Sequence, residues 1–302
     1  MAFKPRMERQ ELIILRCLNA RMELPDVDKR NFYNLKKGYE GEVMFDSLTE
    51  KIQSNCYVLN DLLLEVNNNK FQIDTLIIKD TLHVFDVKNN EGDYYYENGE
   101  FYSKKNDTKI TTNPLDQLKR CDSLFHQLLQ KHGFRIPVES NVVFINPEFT
   151  LYQAPKNKPL IYPTQINSLM KKLNTTTRNL TGRHKQLAEL LVSLHFVESP
   201  YPRLLHYEYG QQRKGFICCL CQSFSVCVDH KMLVCNDCGH QETVDAAVVR
   251  SVEELKLLFP DRKITTSAVM EWCGGVLSDN TIRRILNKYY KANGFGRWLF
   301  YE

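Results

Sequence analysis

Residues 8–20 read as a helix, with Leu12, Ile13, Leu15 and Leu18 apolar. Pro25 and Asp26 break that pattern. A second helix is predicted from about Leu35 to Ile52, with Tyr39, Val43 and Leu48 on its apolar side. The period then shortens. Runs at 57–59, 62–66, 71–78 and 81–87 read as strands, and Lys79-Asp80 reads as a tight connection between the last two. Residues 94–96 and 100–103 predict a hairpin turned at Asn98-Gly99.

Helical spacing returns after Asn113-Pro114. Leu118, Cys121, Phe125 and Leu128 share a face, and Gly133 suits the residue that ends the helix. The run 142–145, VVFI, is short and apolar, as a buried strand is. The first 150 or so residues are thus expected to form an α/β domain. Two helices are predicted over 160–200, separated by NTTTRNLTG, and Pro200 and Pro202 mark a linker.

Composition adds little by itself. The chain has 302 residues, 43% apolar and 25% charged, as soluble globular proteins do. No apolar run reaches the ~20 residues that span a bilayer, so no membrane association is expected. MAFKPRMERQ is charged and lacks an apolar core, so no secretory signal is read and a cytoplasmic location is expected. The net charge of +4 is modest, but the last predicted helix and its tail are basic.

Two of the strands carry charge where a buried sheet would not want it. In FQIDTLIIKDTLHVFDVKNN, Asp74 precedes one apolar run, and Asp86 and Lys88 follow the other. Strand pairing about the turn can bring both carboxylates to one end of the sheet. Two close carboxylates repel, so the pair suggests a divalent cation between them; the alternative is that both are turn-proximal charges at strand ends, since D-x-K alone is a weak pattern. Mg²⁺ suits such a site, since it takes one or two carboxylates and keeps several waters. Lys88 lies two residues after Asp86 and shares its face. An ammonium there can orient a water and offset charge developing on a phosphate.

This hairpin, D-x₁₁-D-x-K behind an acid-bearing helix, resembles the PD-(D/E)xK nuclease core. More narrowly, residues 35 to 150 resemble the nuclease-related domain family, NERD. GYEGE (38–42), QID (72–74), FDVKN (85–89) and NPLDQ (113–117) occur in that family's order. The resemblance implies a central mixed sheet flanked by helices and a Mg²⁺- or Mn²⁺-dependent phosphodiesterase. It implies Asp74 and Asp86 as metal ligands, Lys88 as the catalytic lysine, Glu42 as a helix acid ligating directly or through water, and Gln117 as a group positioning water or phosphate. Nucleases of this superfamily often act as dimers, so a homodimer is one option. The chain departs from the pattern at Ile73, where the superfamily name places proline, and at Asp86, where many members have glutamate. Gly38 and Gly41 are expected to be close-packing positions.

Six of the ten cysteines fall between 218 and 238. Cys218-x₂-Cys221 and Cys235-x₂-Cys238 have the two-knuckle spacing of a zinc ribbon, with four thiolates around a structural Zn²⁺. Residues 225–228 and 231–234 form the expected hairpin, turned at Asp229-His230. Cys219 and Cys227 are spare, and His230 and His240 are substitute ligands at most.

Beyond the cysteines, a helix is predicted over 244–258 and a short one over 267–273. Ser278 caps a basic helix, DNTIRRILNKYYKA, and 297–301 is a final strand. That layout resembles a helix-turn-helix with a wing, and Arg283, Arg284, Lys288 and Lys291 are its candidate DNA contacts; the alternative is an ordinary αα-hairpin with a solvated basic face. The expected organisation is an N-terminal lead-in (1–34), a nuclease-like domain (35–155), a helical linker (156–212), a zinc ribbon (213–242) and a helix-turn-helix-like segment (243–302). The function expected is hydrolysis of DNA phosphodiesters. The alternatives are a catalytically inactive DNA-binding or regulatory protein and a zinc-stabilised protein-interaction scaffold.

Overall fold

The computed structural model describes residues 2–175, 180–196 and 205–302. The chain divides into two compact units, Met1–Arg9 with Tyr33–Tyr201 and Gln10–Phe32 with Pro202–Glu302. Two helices come first, α1 (Gln10–Arg21) and α2 (Asp26–Thr49). The second starts well before the predicted Leu35. Asp26 and Asp28 place negative charge at its N-terminus, where the helix dipole favours it.

The first unit continues with β1 (Tyr57–Val66), β2 (Asn69–Ile78), β3 (Leu82–Lys88), β4 (Gly92–Glu97), β5 (Glu100–Ser103) and β6 (Thr108–Lys109). Then come α3 (Pro114–Lys131), β7 (Val138–Phe144), β8 (Phe149–Tyr152), β9 (Leu160–Ile161), α4 (Ile166–Asn174) and α5 (Gly182–Ser193). The main sheet has the order β1-β2-β3-β7-β9. Its first three strands are an antiparallel meander, and β7 and β9 add in parallel. The sheet is therefore mixed, as expected. A parallel neighbour for β3 needs a long crossover, and the chain between them supplies α3 and three strands of a second sheet, β6-β5-β4-β8, which β8 completes after β7.

Helices cover both faces of the main sheet. On one, Leu82 and Val84 pack with Cys121, Phe125 and Leu128 of α3 and Leu187 and Leu191 of α5. On the other, Phe85 and Val87 pack with Phe45 of α2 and Ile166 and Leu173 of α4. The stretch NTTTRNLTG does separate α4 from α5, although 176–179 lie outside the described residues, as do Pro200 and Pro202 of the expected linker.

Local chemistry explains most ends. Asn113 caps α3 by accepting the Leu115 N–H at 3.0 Å, with Pro114 at the first helical position. Asn98 and Gly99 take left-handed φ values of 51° and 89°, which suit a two-residue hairpin turn. The link between β2 and β3 differs from expectation. Ile78 pairs with Leu82, so three residues intervene. Lys79 turns inward there, buried, and donates to Ser54 and to the Leu173 carbonyl.

One irregularity positions the candidate site. The predicted runs 57–59 and 62–66 are one strand, with Asp61 at φ 52° between them. The register sets Asn60 against Thr75 and Leu62 against Ile73, leaving Asp61 and Asp74 at the irregular point. Across it the alternation slips. Leu59, then Leu62 and Leu64, meet the same core, as do Ile73, then Leu76 and Ile78. A strict period of two would send one set to the opposite face.

The second unit holds α1, a small sheet of β10 (Val226–Asp229), β11 (Met232–Cys235) and β12 (Gln241–Thr243), and then α6 (Val244–Leu258), α7 (Thr266–Trp272) and α8 (Asp279–Tyr289). A hairpin of β13 (Ala292–Asn293) and β14 (Phe300–Tyr301) ends it. Helix α8 stops at Tyr289, short of the predicted Ala292, because the chain at Tyr290 is already extended. The core includes Val248, Val252, Leu255, Val269, Trp272, Ile282 and Ile285. Arg21 of α1 is buried in this unit. It binds Glu254 through two hydrogen bonds of 2.9 and 2.7 Å and lies 4.0 Å over Trp272.

Candidate active site and cysteine cluster

Extending the β2–β3 register one pair beyond Thr75 and Phe85 brings Asp74 opposite Asp86. Asp74 Oδ2 accepts the Val87 N–H at 2.8 Å. Lys88 Nζ donates to Asp86 Oδ1 at 2.9 Å and to Gln117 Oε1 of α3 at 3.0 Å. Four of the residues expected from the sequence thus meet, drawn from β2, β3 and the first turn of α3.

Glu42 of α2 is the fifth, and its carboxylate is held by Arg6, with Nη1–Oε2 at 2.5 Å. Glu42, Asp74, Lys88 and Gln117 line one cavity of about 360 Å³, together with Arg9, Lys37, Gly38 and Asn89. Asp86 sits behind Lys88, buried.

The electrostatics favour a cation. Burial, opposed by Lys88 and reinforced by Asp74, pushes the Asp86 carboxyl up to about 7. Burial and then Asp74 push Glu42 up to about 8, against the pull of Arg6. For Lys88, burial works against the charge, but Asp86 and Asp74 outweigh it and hold the ammonium above its ordinary range. Asp86 Oδ2 is buried with no hydrogen-bond partner. A hard cation would satisfy that oxygen and relieve the repulsion, so the donor set fits Mg²⁺ or Mn²⁺. Among the described residues, the one group of three or more His, Cys, Asp or Glu with ligand atoms within 4.8 Å of one another is cysteine. Glu42, Asp74 and Asp86 do not close to that spacing.

Two residues near the site have roles the sequence leaves unassigned. Asn89 donates to the Lys37 carbonyl at 2.7 Å and accepts from Asn146 at 3.0 Å, tying β3 to α2 and to the loop after β7. A Cβ on Gly41 would lie 2.5 Å from the Asn89 Cβ, so this glycine is a close-packing position as expected. Gly38 is not: a Cβ there meets nothing within 4 Å. Arg6 is the second. It belongs to the N-terminal segment, which sequence inspection treats only as charged.

Cys218, Cys221, Cys235 and Cys238 form the cysteine group. Two of their Sγ separations are 3.6 Å (218–238) and 3.5 Å (221–235). A tetrahedron with Zn–S of about 2.3 Å has edges of about 3.8 Å, so the cluster is compatible with zinc. The neighbouring thiols split: backbone N–H groups of Cys238 and Asp237 bring Cys235 down to about 7 against burial. Against the backbone N–H groups of Ser223 and His240 respectively, burial and the neighbouring cysteines push Cys221 up to about 12 and Cys238 up. Spare Cys219 lies 3.0 Å from His240 Nε2, outside the quartet, and Cys227 is exposed. His230 occupies the hairpin turn at φ 52°.

The expected DNA contacts lie on and just after α8. Arg284 and Lys288 both bind Asp245, at 2.8 and 3.1 Å, and Arg283 binds Asp279 at 3.1 Å. Lys291 is exposed and pairs its backbone with Glu302. No helix among the described residues is long and apolar enough to cross a membrane.

Searches among curated proteins and among solved structures gave no match. A family model does match: residues 37–145, about a third of the chain, fit the model described as NERD, nuclease-related domain. That span holds Glu42, Asp74, Asp86, Lys88 and Gln117, and through it this chain carries a nuclease-related domain.

Proposed function

We propose that this protein is a metal-dependent nuclease that hydrolyses DNA phosphodiesters. The observation that carries the reading is the meeting of Asp74, Asp86, Lys88 and Gln117, with the buried Asp86 Oδ2 unsatisfied. Asp74 and Asp86 would hold Mg²⁺ or Mn²⁺, which when bound polarises a phosphoryl oxygen and makes water a better nucleophile. Lys88, kept charged by its two carboxylates, orients the attacking water and offsets charge on the phosphate. Gln117 fixes the Lys88 rotamer from the α3 side. Glu42 acts through water rather than as a direct ligand, since its carboxylate is engaged by Arg6. The cysteine quartet holds a structural Zn²⁺. The segment around α7 and α8 places the enzyme on DNA through Arg283, Arg284, Lys288 and Lys291, mainly by phosphate contacts.

The test uses supercoiled, linear and single-stranded DNA with Mg²⁺ or Mn²⁺. Wild type is expected to cut at least one of these substrates. Asp86→Ala and Lys88→Ala are expected to lose at least about a hundredfold in rate. Substrates left intact by wild type would refute the reading, and variants that cut as well as wild type would show a contaminant.

A further inference from the structure

Arg6 lies thirty-one residues before the matched segment begins at 37. The strand-like passage of residues 3 and 4 along β1 brings it to the site. Phe3 donates to the Val58 carbonyl at 2.8 Å, and Asn60 donates to that of Lys4 at 2.9 Å. The Arg6 side chain is only 4% exposed.

Its guanidinium spends its donors on four residues of two elements, α2 and β2. Nη1 binds Glu42, and Nε and Nη2 bind the two oxygens of Asp46 at 2.8 and 3.0 Å. Nη2 also reaches the Asp74 carbonyl at 2.8 Å and Thr75 Oγ1 at 3.4 Å. Glu42 and Asp46 are four residues apart and so share a face of α2. The contact to β2 falls at the irregular point where the side-chain alternation slips. Three carboxylates would otherwise crowd there, and another cation that acts on Glu42, Arg9, is paired with Asp61 at 3.5 Å.

We propose that Arg6 is a positioning residue of the cation site: it holds Glu42 beside Asp74 and pins β2 where Asp74 projects. The idea rests on the metal-site reading above. A lysine could supply the charge but not the fork that reaches a helix and a strand at once.

Mn²⁺ binding, followed by electron paramagnetic resonance or calorimetry on the full chain with its zinc, tests this without turnover. Wild type is expected to bind Mn²⁺, and Asp74→Asn to abolish it. Arg6→Gln should weaken binding about tenfold or more while near-UV circular dichroism and zinc content stay unchanged. Arg6→Lys should fall between the two, and it carries the test if Arg6→Gln does not fold. In the double variant Arg6→Gln/Glu42→Gln the losses should overlap rather than add. Unchanged Mn²⁺ affinity in both Arg6 variants, or fully additive losses, would overturn the proposal alone. A wild type that binds no Mn²⁺ at Asp74 would instead sink the metal-site reading, and this inference with it. A wild type that binds Mn²⁺ but cuts no DNA would leave Arg6 its role and remove the nuclease activity.

Discussion

The backbone N–H of Val87 donates to Asp74 Oδ2 at 2.8 Å, joining the carboxylate of one strand to the chain of the next, one residue past Asp86. This bond fixes Asp74 without involving a second side chain. Its neighbour Asp86 keeps an oxygen unsatisfied in a buried place. An unsatisfied buried carboxylate oxygen is costly, and the pair is therefore poised for a proton or a cation.

A pH dependence follows. Asp86 is raised from 3.8 to about 7 and Glu42 from 4.5 to about 8, each chiefly by burial. Both bind protons more readily folded than unfolded. Their stabilising contribution is fully present below about pH 4 and is lost as pH rises through about 7 to 8. The melting temperature of metal-free protein should fall across pH 5 to 8, and Asp86→Asn and Glu42→Gln should each flatten that fall. Mn²⁺ should raise the melting temperature more at pH 8 than at pH 6, because it competes with protons for the same oxygens. Differential scanning fluorimetry measures both, and an equal Mn²⁺ shift at the two pH values would contradict the assignment.

Zinc is expected at about one ion per chain by elemental analysis. Cys235→Ser should lose it and, with it, the ordered ribbon. Mn²⁺ binding at Asp74 and Asp86 should survive, since these residues belong to the other unit. Retention of full zinc by Cys235→Ser would rule out the four-thiolate site.

Arg21→Met should destabilise the protein by about 3–5 kcal/mol, because it leaves the Glu254 carboxylate buried and unpaired. The double change Arg21→Met/Glu254→Leu should recover much of that loss. Urea unfolding reads both. A single variant as stable as wild type would mean that the pair is solvated in solution.

Asp245→Asn should tighten binding to duplex DNA. Arg284 and Lys288 each spend charge on this carboxylate, and exposed pairs of this kind are worth little to stability. Arg284→Gln and Lys288→Gln should weaken binding, each lowering the slope of log affinity against log salt by about 0.9. Fluorescence anisotropy over a salt series decides, and a slope unmoved by either change would remove α8 from the interface.

Periodicity and local chemistry carried much of the fold. Residues 244–258 are a helix as predicted, because its apolar spacing is regular and Thr243 supplies a cap. The hairpin at Asn98-Gly99 was legible because those two residues tolerate left-handed backbone. Lys79 was not: a lysine beside an aspartate reads as an exposed turn, and only packing against Ser54 and Leu173 buries it. Nor was the single β1 strand, since a left-handed Asp61 inside a strand breaks the alternation that a reader follows.

By itself the sequence determined which strands would carry Asp74, Asp86 and Lys88 and which four cysteines would group, because both depend on spacing within short segments. Only the tertiary structure decided that Gln117 would touch Lys88, that Asn89 would demand a glycine at 41, and that Arg6 would close on Glu42. Those contacts join residues 29, 48 and 36 positions apart. A side chain meets such a partner only after helices and strands have packed, and no local pattern of apolar and polar positions records where that packing brings it.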